Sequence, residues 1–191
     1  MVLSDKTIID LAQRYDMINP IVIGQQYRGC NVESDKLSSG VSSYGYDLTL
    51  GNTFKIFARK PEGGIIDPKN FDPSFLETIS GDVCIIPPNS FVLSHSVEFF
   101  KIPRDIITIV LGKSTYARCG LVVNLTALEP EWEGQVTIEI SNTTPTAVKV
   151  YAGEGIAQVI FLRAESICDV SYADKKGKYQ NQTGVTLARN Q

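Results

Sequence analysis

The chain has 191 residues, 43% of them hydrophobic and 20% charged, with a formal net charge of -3. That length makes one domain with a single core, and the acidic balance speaks against a broad nucleic-acid surface, which would need a basic excess to neutralise phosphates. No apolar run reaches membrane-spanning length, and Met1 to Arg14 carries Asp5, Lys6 and Asp10 in place of the basic-then-apolar layout of a signal peptide. The expectation is a soluble cytoplasmic protein that binds neither nucleic acid nor membrane. Its four cysteines, Cys30, Cys84, Cys119 and Cys168, form no CxxC pair and read as reduced thiols. A small anionic ligand stays open, because a few local Lys and Arg suffice for one.

Ser4 opens the first predicted element, a helix in which Ile8, Leu11, Ala12 and Tyr15 fall on one face. Asn19-Pro20 ends it. Short strands follow: Ile21 to Ile23, Tyr46 to Leu50, and Thr53 to Phe57, the last two joined by the turn signal Gly51-Asn52. Residues 58 to 82 are rich in Pro and Gly and read as a long loop, of the kind that often carries function. Strand-like runs then recur at Val83–Ile86, Phe91–Phe99, Ile106–Leu111, Leu121–Thr126, Gln135–Ser141, Ala147–Tyr151 and Ala157–Phe161. Many short strands at close spacing predict a mainly β fold, a β-barrel or jelly-roll-like sandwich, with an N-terminal helix. Lys113 to Cys119 lacks breakers and predicts one or two helical turns. The polar tail from Asp174 to Gln191 is expected to fold little on its own.

Several reaction classes lack their residues. The single histidine, His95, sits in a strand-like run and reads as structural. Zinc deaminases need H-x-E with a downstream P-C-x-x-C, and neither pattern is present. There is no G-x-S-x-G, no Walker A and no Rossmann glycine pattern.

Two segments could carry chemistry. In Gly112 to Gly120, Lys113 and Arg118 flank Ser114 and Thr115 on a turn that follows a strand. A lysine supplies a point charge and an arginine a two-pronged donor, so the run reads as an anion-binding turn; a solvated helical turn fits the same residues. In Gln135 to Asn142, strict alternation puts Val136, Ile138 and Ile140 on one face and Thr137, Glu139 and Ser141 on the other. A glutamate on the polar face of a strand is ordinarily just solvated. If that face lines a pocket, the strand holds Glu139 rigidly enough to move protons.

Taken in order, Ser42-Ser43-Tyr44-Gly45-Tyr46-Asp47, Gly112 to Arg118, Thr137-Ile138-Glu139, Gly155-Ile156-Ala157-Gln158 and Gly177 to Gln182 resemble the dCTP deaminase family, within the dUTPase-like superfamily, over nearly the whole chain. The resemblance implies homotrimers of distorted β-barrel or jelly-roll-like subunits, with active sites shared between subunits. It implies zinc-independent hydrolysis of dCTP to dUTP and ammonia, feeding thymidine nucleotide synthesis. Magnesium is expected on the bound triphosphate, no metal ligands are expected from the chain itself, and dTTP is expected as a feedback inhibitor at the same site.

The resemblance also assigns roles. Glu139 matches the catalytic glutamate, acting first as base toward water and then as acid. Arg118 and Ser114 match residues that organise the water, and Ala127 matches a position whose carbonyl faces it. Thr137, Ile138 and Glu139 supply a strand edge along the base. Lys113 and the backbone through Thr115, Tyr116 and Ala117 would meet phosphate oxygens. Gln158, Tyr172, Lys178 and Gln182 match positions that hold the nucleotide, which makes residues 172–191 of the single domain 1–191 a tail closing over it. No sugar contact is assigned to Glu129, and Trp132 reads as a packing or subunit-contact residue. A dUTPase would instead aim its water at the α-phosphate, a bifunctional relative would release dUMP and pyrophosphate, and a non-catalytic nucleotide sensor would keep the barrel without turnover.

Overall fold

The computed structural model describes residues 1–23, 36–57 and 64–189. Cys30 and the first part of the expected long loop, residues 58–63, lie outside the described residues.

Helix α1 (Asp5–Tyr15) follows Ser4, whose extended backbone suits an N-cap although its hydroxyl meets Thr7 Oγ1 at 3.3 Å and not a main-chain amide. Asp16, in the left-handed conformation at φ 54, closes the helix by donating its N–H to the Leu11 carbonyl. Ile8, Leu11 and Ala12 face the core as expected, but Tyr15 is 64% exposed. The apolar stripe is thus buried only as far as Ala12.

Twelve strands follow among the described residues: β1 (Ile18–Asn19), β2 (Gly40–Ser42), β3 (Gly45–Thr49), β4 (Thr53–Phe57), β5 (Leu76–Ser80), β6 (Val83–Ile86), β7 (Phe91–Lys101), β8 (Ile106–Gly112), β9 (Leu121–Asn124), β10 (Glu133–Asn142), β11 (Val148–Tyr151) and β12 (Gly155–Arg163). Helix α2 (Ser114–Arg118) lies between β8 and β9. One sheet runs β5-β4-β7-β10-β9, with β1 also paired to β7; a second runs β2-β3-β12-β8; β6 and β11 form a two-stranded ribbon. The sheets stay open, so the mainly β, jelly-roll-like expectation holds in its distorted form.

Three local expectations are corrected. Ile21 to Ile23 is not a strand; the pairing with β7 falls earlier, Ile18 opposite Phe100 and Asn19 opposite Phe99. The expected long loop contains a 3-10 turn at Pro73–Phe75 and then β5, which pairs residue for residue with β4. Proline and glycine upstream masked that strand. Tyr46 to Leu50 alternates polar and apolar residues in sequence, yet Asp47 and Thr49 on β3 are buried with their neighbours. β3 is edged by β2 and β12, and all five of its residues are buried, so neither face meets water.

The core draws on every sheet: Phe54, Val92, Phe100, Ile106, Ile138, Ile140, Val159 and Phe161 are fully or almost fully buried beside Ile8, Met17 and Ile18. One charged side chain is fully buried within it. Glu98 on β7 accepts a hydrogen bond from the Tyr46 hydroxyl at 3.0 Å and from the Thr49 amide at 3.1 and 3.2 Å. Burial pushes its carboxyl above the ordinary range, while those donors hold it back. His95 is structural as expected: its Nδ1 lies 2.9 Å from the Ser96 carbonyl, and its ring fills the space a side chain at residue 51 would need.

Candidate active site

β10 builds the centre of the site. Its buried residues alternate without a break through Gly134, Val136, Ile138, Ile140 and Asn142, which sends Thr137 and Glu139 to the other face. β9 pairs with β10 only from Glu139 to Asn142, and Asn124, opposite Glu139, is the last residue of the ladder. Beyond it the chain through Leu125, Thr126 and Ala127 turns away, so the run expected to continue as strand to Thr126 stops at Asn124. The divergence opens a cleft of about 710 Å³ lined by Ala127, Thr137, Glu139, Tyr172 and Gln182 among others. Phe57, Phe71 and Phe91 form its apolar wall, with Phe57 in ring contact with both partners.

Glu139 is half-buried, and its Oε2 accepts from Asn124 Nδ2 at 2.7 Å. That bond fixes the carboxylate plane and leaves the second oxygen for another group. Sequence reading missed Asn124. Its signal is the β9–β10 register, which no local pattern states.

The tail borders the same cleft. Tyr172 N donates to the Pro130 carbonyl at 2.9 Å, Trp132 Nε1 to the Tyr179 carbonyl at 3.1 Å, and Asn181 N to the Glu133 carbonyl at 2.9 Å. Gln182 exchanges two bonds with Gln135, 2.9 Å through the main chain and 2.8 Å from its side-chain amide. Gln182 is 6% exposed. A segment expected to fold little on its own is ordered by borrowing the edge of β10 that β9 leaves bare. Lys178 is not among the cleft residues; its Nζ caps the Arg189 carbonyl at 3.3 Å and stands over the Tyr179 ring. Trp132 is a packing residue, 5% exposed, that also touches the cleft. Glu129 pairs with Lys175 at 2.8 Å.

The run Lys113 to Arg118 lies elsewhere in the chain. None of its residues lines the Glu139 cleft. Lys113 forms a part-buried ion pair with Asp47 on β3. Nearby on β12, Gln158 stands opposite Asp47 in the ladder and donates to Ser42 Oγ at 3.1 Å. Tyr116 is buried, its hydroxyl accepts from the Tyr151 amide at 3.3 Å, and burial pushes its phenol up to about 12. Its side chain is therefore an anchor for α2, and only its main chain is left for a ligand. Ser114, Thr115, Ala117 and Arg118 are exposed, and Arg118 Nη1 donates to the Ser114 carbonyl at 3.1 Å. Arg118 makes no ion pair with Glu139 within the chain. The predicted site residues thus separate: Ala127, Thr137, Glu139, Tyr172 and Gln182 line the cleft, Lys113 and Gln158 stand beside Asp47 with Ser114 to Arg118 following Lys113 on α2, and Lys178 lies outside the cleft. Ile138, between them in sequence order, points into the core.

No group of three or more His, Cys, Asp or Glu side chains is placed to hold a metal ion among the described residues, and no described helix is long and apolar enough to cross a membrane.

This fold is shared with a solved nucleotide deaminase. A 2'-deoxycytidine 5'-triphosphate deaminase from Agrobacterium tumefaciens superposes with a TM-score of 0.60 at 16% identity, covering 84% of this chain and 47% of that one. The dCTP deaminase-like family pattern matches residues 2–164. Proteins named dCTP deaminase are 57% identical over 186 residues in Ectopseudomonas mendocina, covering 97% of each chain, and 55% identical over 183 residues in Chlamydia felis, covering 96% of each. The one from Methylococcus capsulatus is 56% identical, again over 97% of each chain. The chain belongs to the dCTP deaminase family.

Proposed function

We propose that this enzyme hydrolyses dCTP to dUTP and ammonia, with Glu139 as the proton-transfer group. The observation that carries the reading is the carboxylate itself. It is held on a rigid strand by Asn124, in a cleft with an aromatic wall, where Thr137, on the stretch of the β10 edge between the tail and β9, can read a base. Glu139 takes a proton from water as the oxygen bonds to C4 of cytosine. The proton passes to the ring nitrogen, the proton of the new C4 hydroxyl follows through Glu139 to the amino group, and the C4–N bond breaks to release ammonia as the C4 carbonyl forms. One carboxylate serves as base and then acid because it ends each cycle as it began. The carbonyl of Ala127, which lines the same cleft, faces the water and the amino group in this reading.

Ser114 and Arg118 act on the same water, and they reach it from a second copy of the chain. Both are exposed and lie outside the Glu139 cleft of their own chain. A homotrimer with shared sites joins the two halves. The surface supports such an assembly: β8 is the last strand of its sheet and exposes Ile107, Ile109 and Leu111 at 40%, 48% and 52%. Lys113, the main chain from Thr115 to Ala117, and Gln158 receive the triphosphate. Tyr172, Lys178 and Gln182 hold the nucleotide as the tail, residues 172–191, closes. Closure shields the charges from water.

The donors around Lys113 are a lysine already paired with a carboxylate, a hydroxyl and an amide. They suit a phosphate arriving with its magnesium, which neutralises phosphate charge and takes its ligands from phosphate oxygens. Zinc has no part in the reading. dTTP competes for the same site, its methyl group accommodated by a shift of the loop around Ala127.

The test is to incubate the purified protein with dCTP and magnesium. Ammonia with dUTP is expected. Release of dUMP and pyrophosphate identifies the bifunctional alternative, and dCTP binding without turnover identifies a sensor. Failure of dTTP to compete with dCTP removes the feedback reading.

A further inference from the structure

Arg104 lies outside the cleft, on the turn between β7 and β8, yet it touches both segments that bound the cleft's tail side. Its Nη1 donates to Glu131 Oε2 at 2.7 Å, and its Nη2 to Asp174 Oδ2 at 2.7 Å, to the Asp169 carbonyl at 3.0 Å and to the Cys168 carbonyl at 3.3 Å. Glu131 belongs to the loop that carries Glu129 and Trp132 into the cleft. Cys168, Asp169 and Asp174 bracket Tyr172, the first tail residue in it. We propose that Arg104 is the positioning residue for the nucleotide-closing tail: its guanidinium fork fixes the hinge at residues 168–174 to the 129–133 loop and so sets where Tyr172 and Gln182 stand.

An exposed ion pair alone is worth little. This one differs in its geometry. A single planar fork serves two carboxylates and two main-chain carbonyls on two separate segments, a set that a lysine's point charge cannot match. The junction is also braced from the other side. Asp174 accepts from the Ser171 amide at 3.0 Å, Tyr172 N from the tail bonds Pro130, and Gln180 Nε2 donates to the Glu131 carbonyl at 2.9 Å. The Ser171 amide first, and Arg104 after it, hold the Asp174 carboxyl below its ordinary range. Removing the guanidinium leaves Glu131 and Asp174 as two carboxylates with no cation between them, and the hinge opens where the tail begins.

The inference rests on the proposed role of the tail in nucleotide binding, and its test separates the two. Arg104→Met and Arg104→Lys are compared with the wild type, with Asp174→Asn as a second disruption from the partner side. Hydrogen exchange without nucleotide is expected to rise in residues 172–182 and at the Gln135 amide that the tail covers in Arg104→Met and Asp174→Asn, with β7 and the β9-paired half of β10, Glu139 to Asn142, unchanged. The KM for dCTP is expected to rise about tenfold while kcat changes less than threefold, because a tail that grips substrate and transition state alike acts on KM. Arg104→Lys is expected to recover little of either. Unchanged exchange in residues 172–182, exchange rising equally in the core strands, or full rescue by lysine would overturn the role of Arg104. A wild type that turns over no dCTP would sink the deaminase reading instead, and the exchange experiment would still decide the anchor.

Discussion

Glu139 and Asn124 face each other across the final rung of the β9–β10 ladder, and Glu98 lies buried one strand away on β7. These two glutamates illustrate how placement decides what a carboxylate does. Glu139 has one oxygen held by Asn124 and one left toward the cleft. Glu139→Gln keeps the shape and loses the proton transfer; we expect turnover of dCTP to fall by about 10²–10⁴-fold with binding retained. Single-turnover rates beside equilibrium binding check it, and near-native turnover would remove Glu139 from the mechanism. Glu98 has no cleft and no cation, only Tyr46 and Thr49. Its folded-state carboxyl is raised above the ordinary 4.5, chiefly by burial. The protonated form therefore stabilises the fold: that contribution is complete below the unfolded value and is lost as pH rises through the folded one. Glu98→Gln should flatten this part of the stability profile. Thermal midpoints from pH 4 to pH 8 should fall less steeply in the variant than in the wild type, and parallel profiles would contradict the assignment.

At the scale of elements, the tail and β10 depend on each other. The tail gains order from main-chain bonds to Glu133 and Gln135, and β10 gains a partner where β9 has left it. Gly134 makes the approach possible. A Cβ there would lie 2.9 Å from the Gln182 carbonyl and 3.0 Å from the Trp132 ring, at a φ of +152. We expect Gly134→Ala to destabilise by about 1–3 kcal/mol, as overpacking does, and to make residues 179–184 the first site of proteolytic cutting. Denaturant unfolding superimposable on the wild type would show that the tail tolerates the methyl group.

At the scale of the whole molecule, the expected site residues occupy two places on one chain, and an exposed apolar strand, β8, runs along its surface. A trimer with shared sites makes a direct prediction. Chains carrying Glu139→Gln and chains carrying Arg118→Ala should each be inactive alone and regain activity when unfolded and refolded together. Each mixed trimer then carries one site with both native halves. No recovery, in a mixture shown by mass to contain mixed trimers, would place both residues in the same chain's site.

Much of this was legible in the sequence. Alternation alone gave the β10 faces, because a period of two follows directly from the pleat. The spacing of apolar residues gave α1, and the lone His95 read as structural from its place in a strand-like run. Glu139 was singled out as a rigid carboxylate, but whether its face met water or a pocket was open from the strand pattern. Tertiary structure decided that. It depends on where β9 stops, and a ladder's end is set by the path of the next segment and not by the strand's own residues. The same holds for Asn124, Asp47 and Arg104, whose partners lie 15, 66 and up to 70 positions away. It holds too for β5, which its partner β4 stabilises inside a stretch whose prolines and glycines read as loop. Local periodicity determined which residues share a face; long-range pairing decided what each face meets.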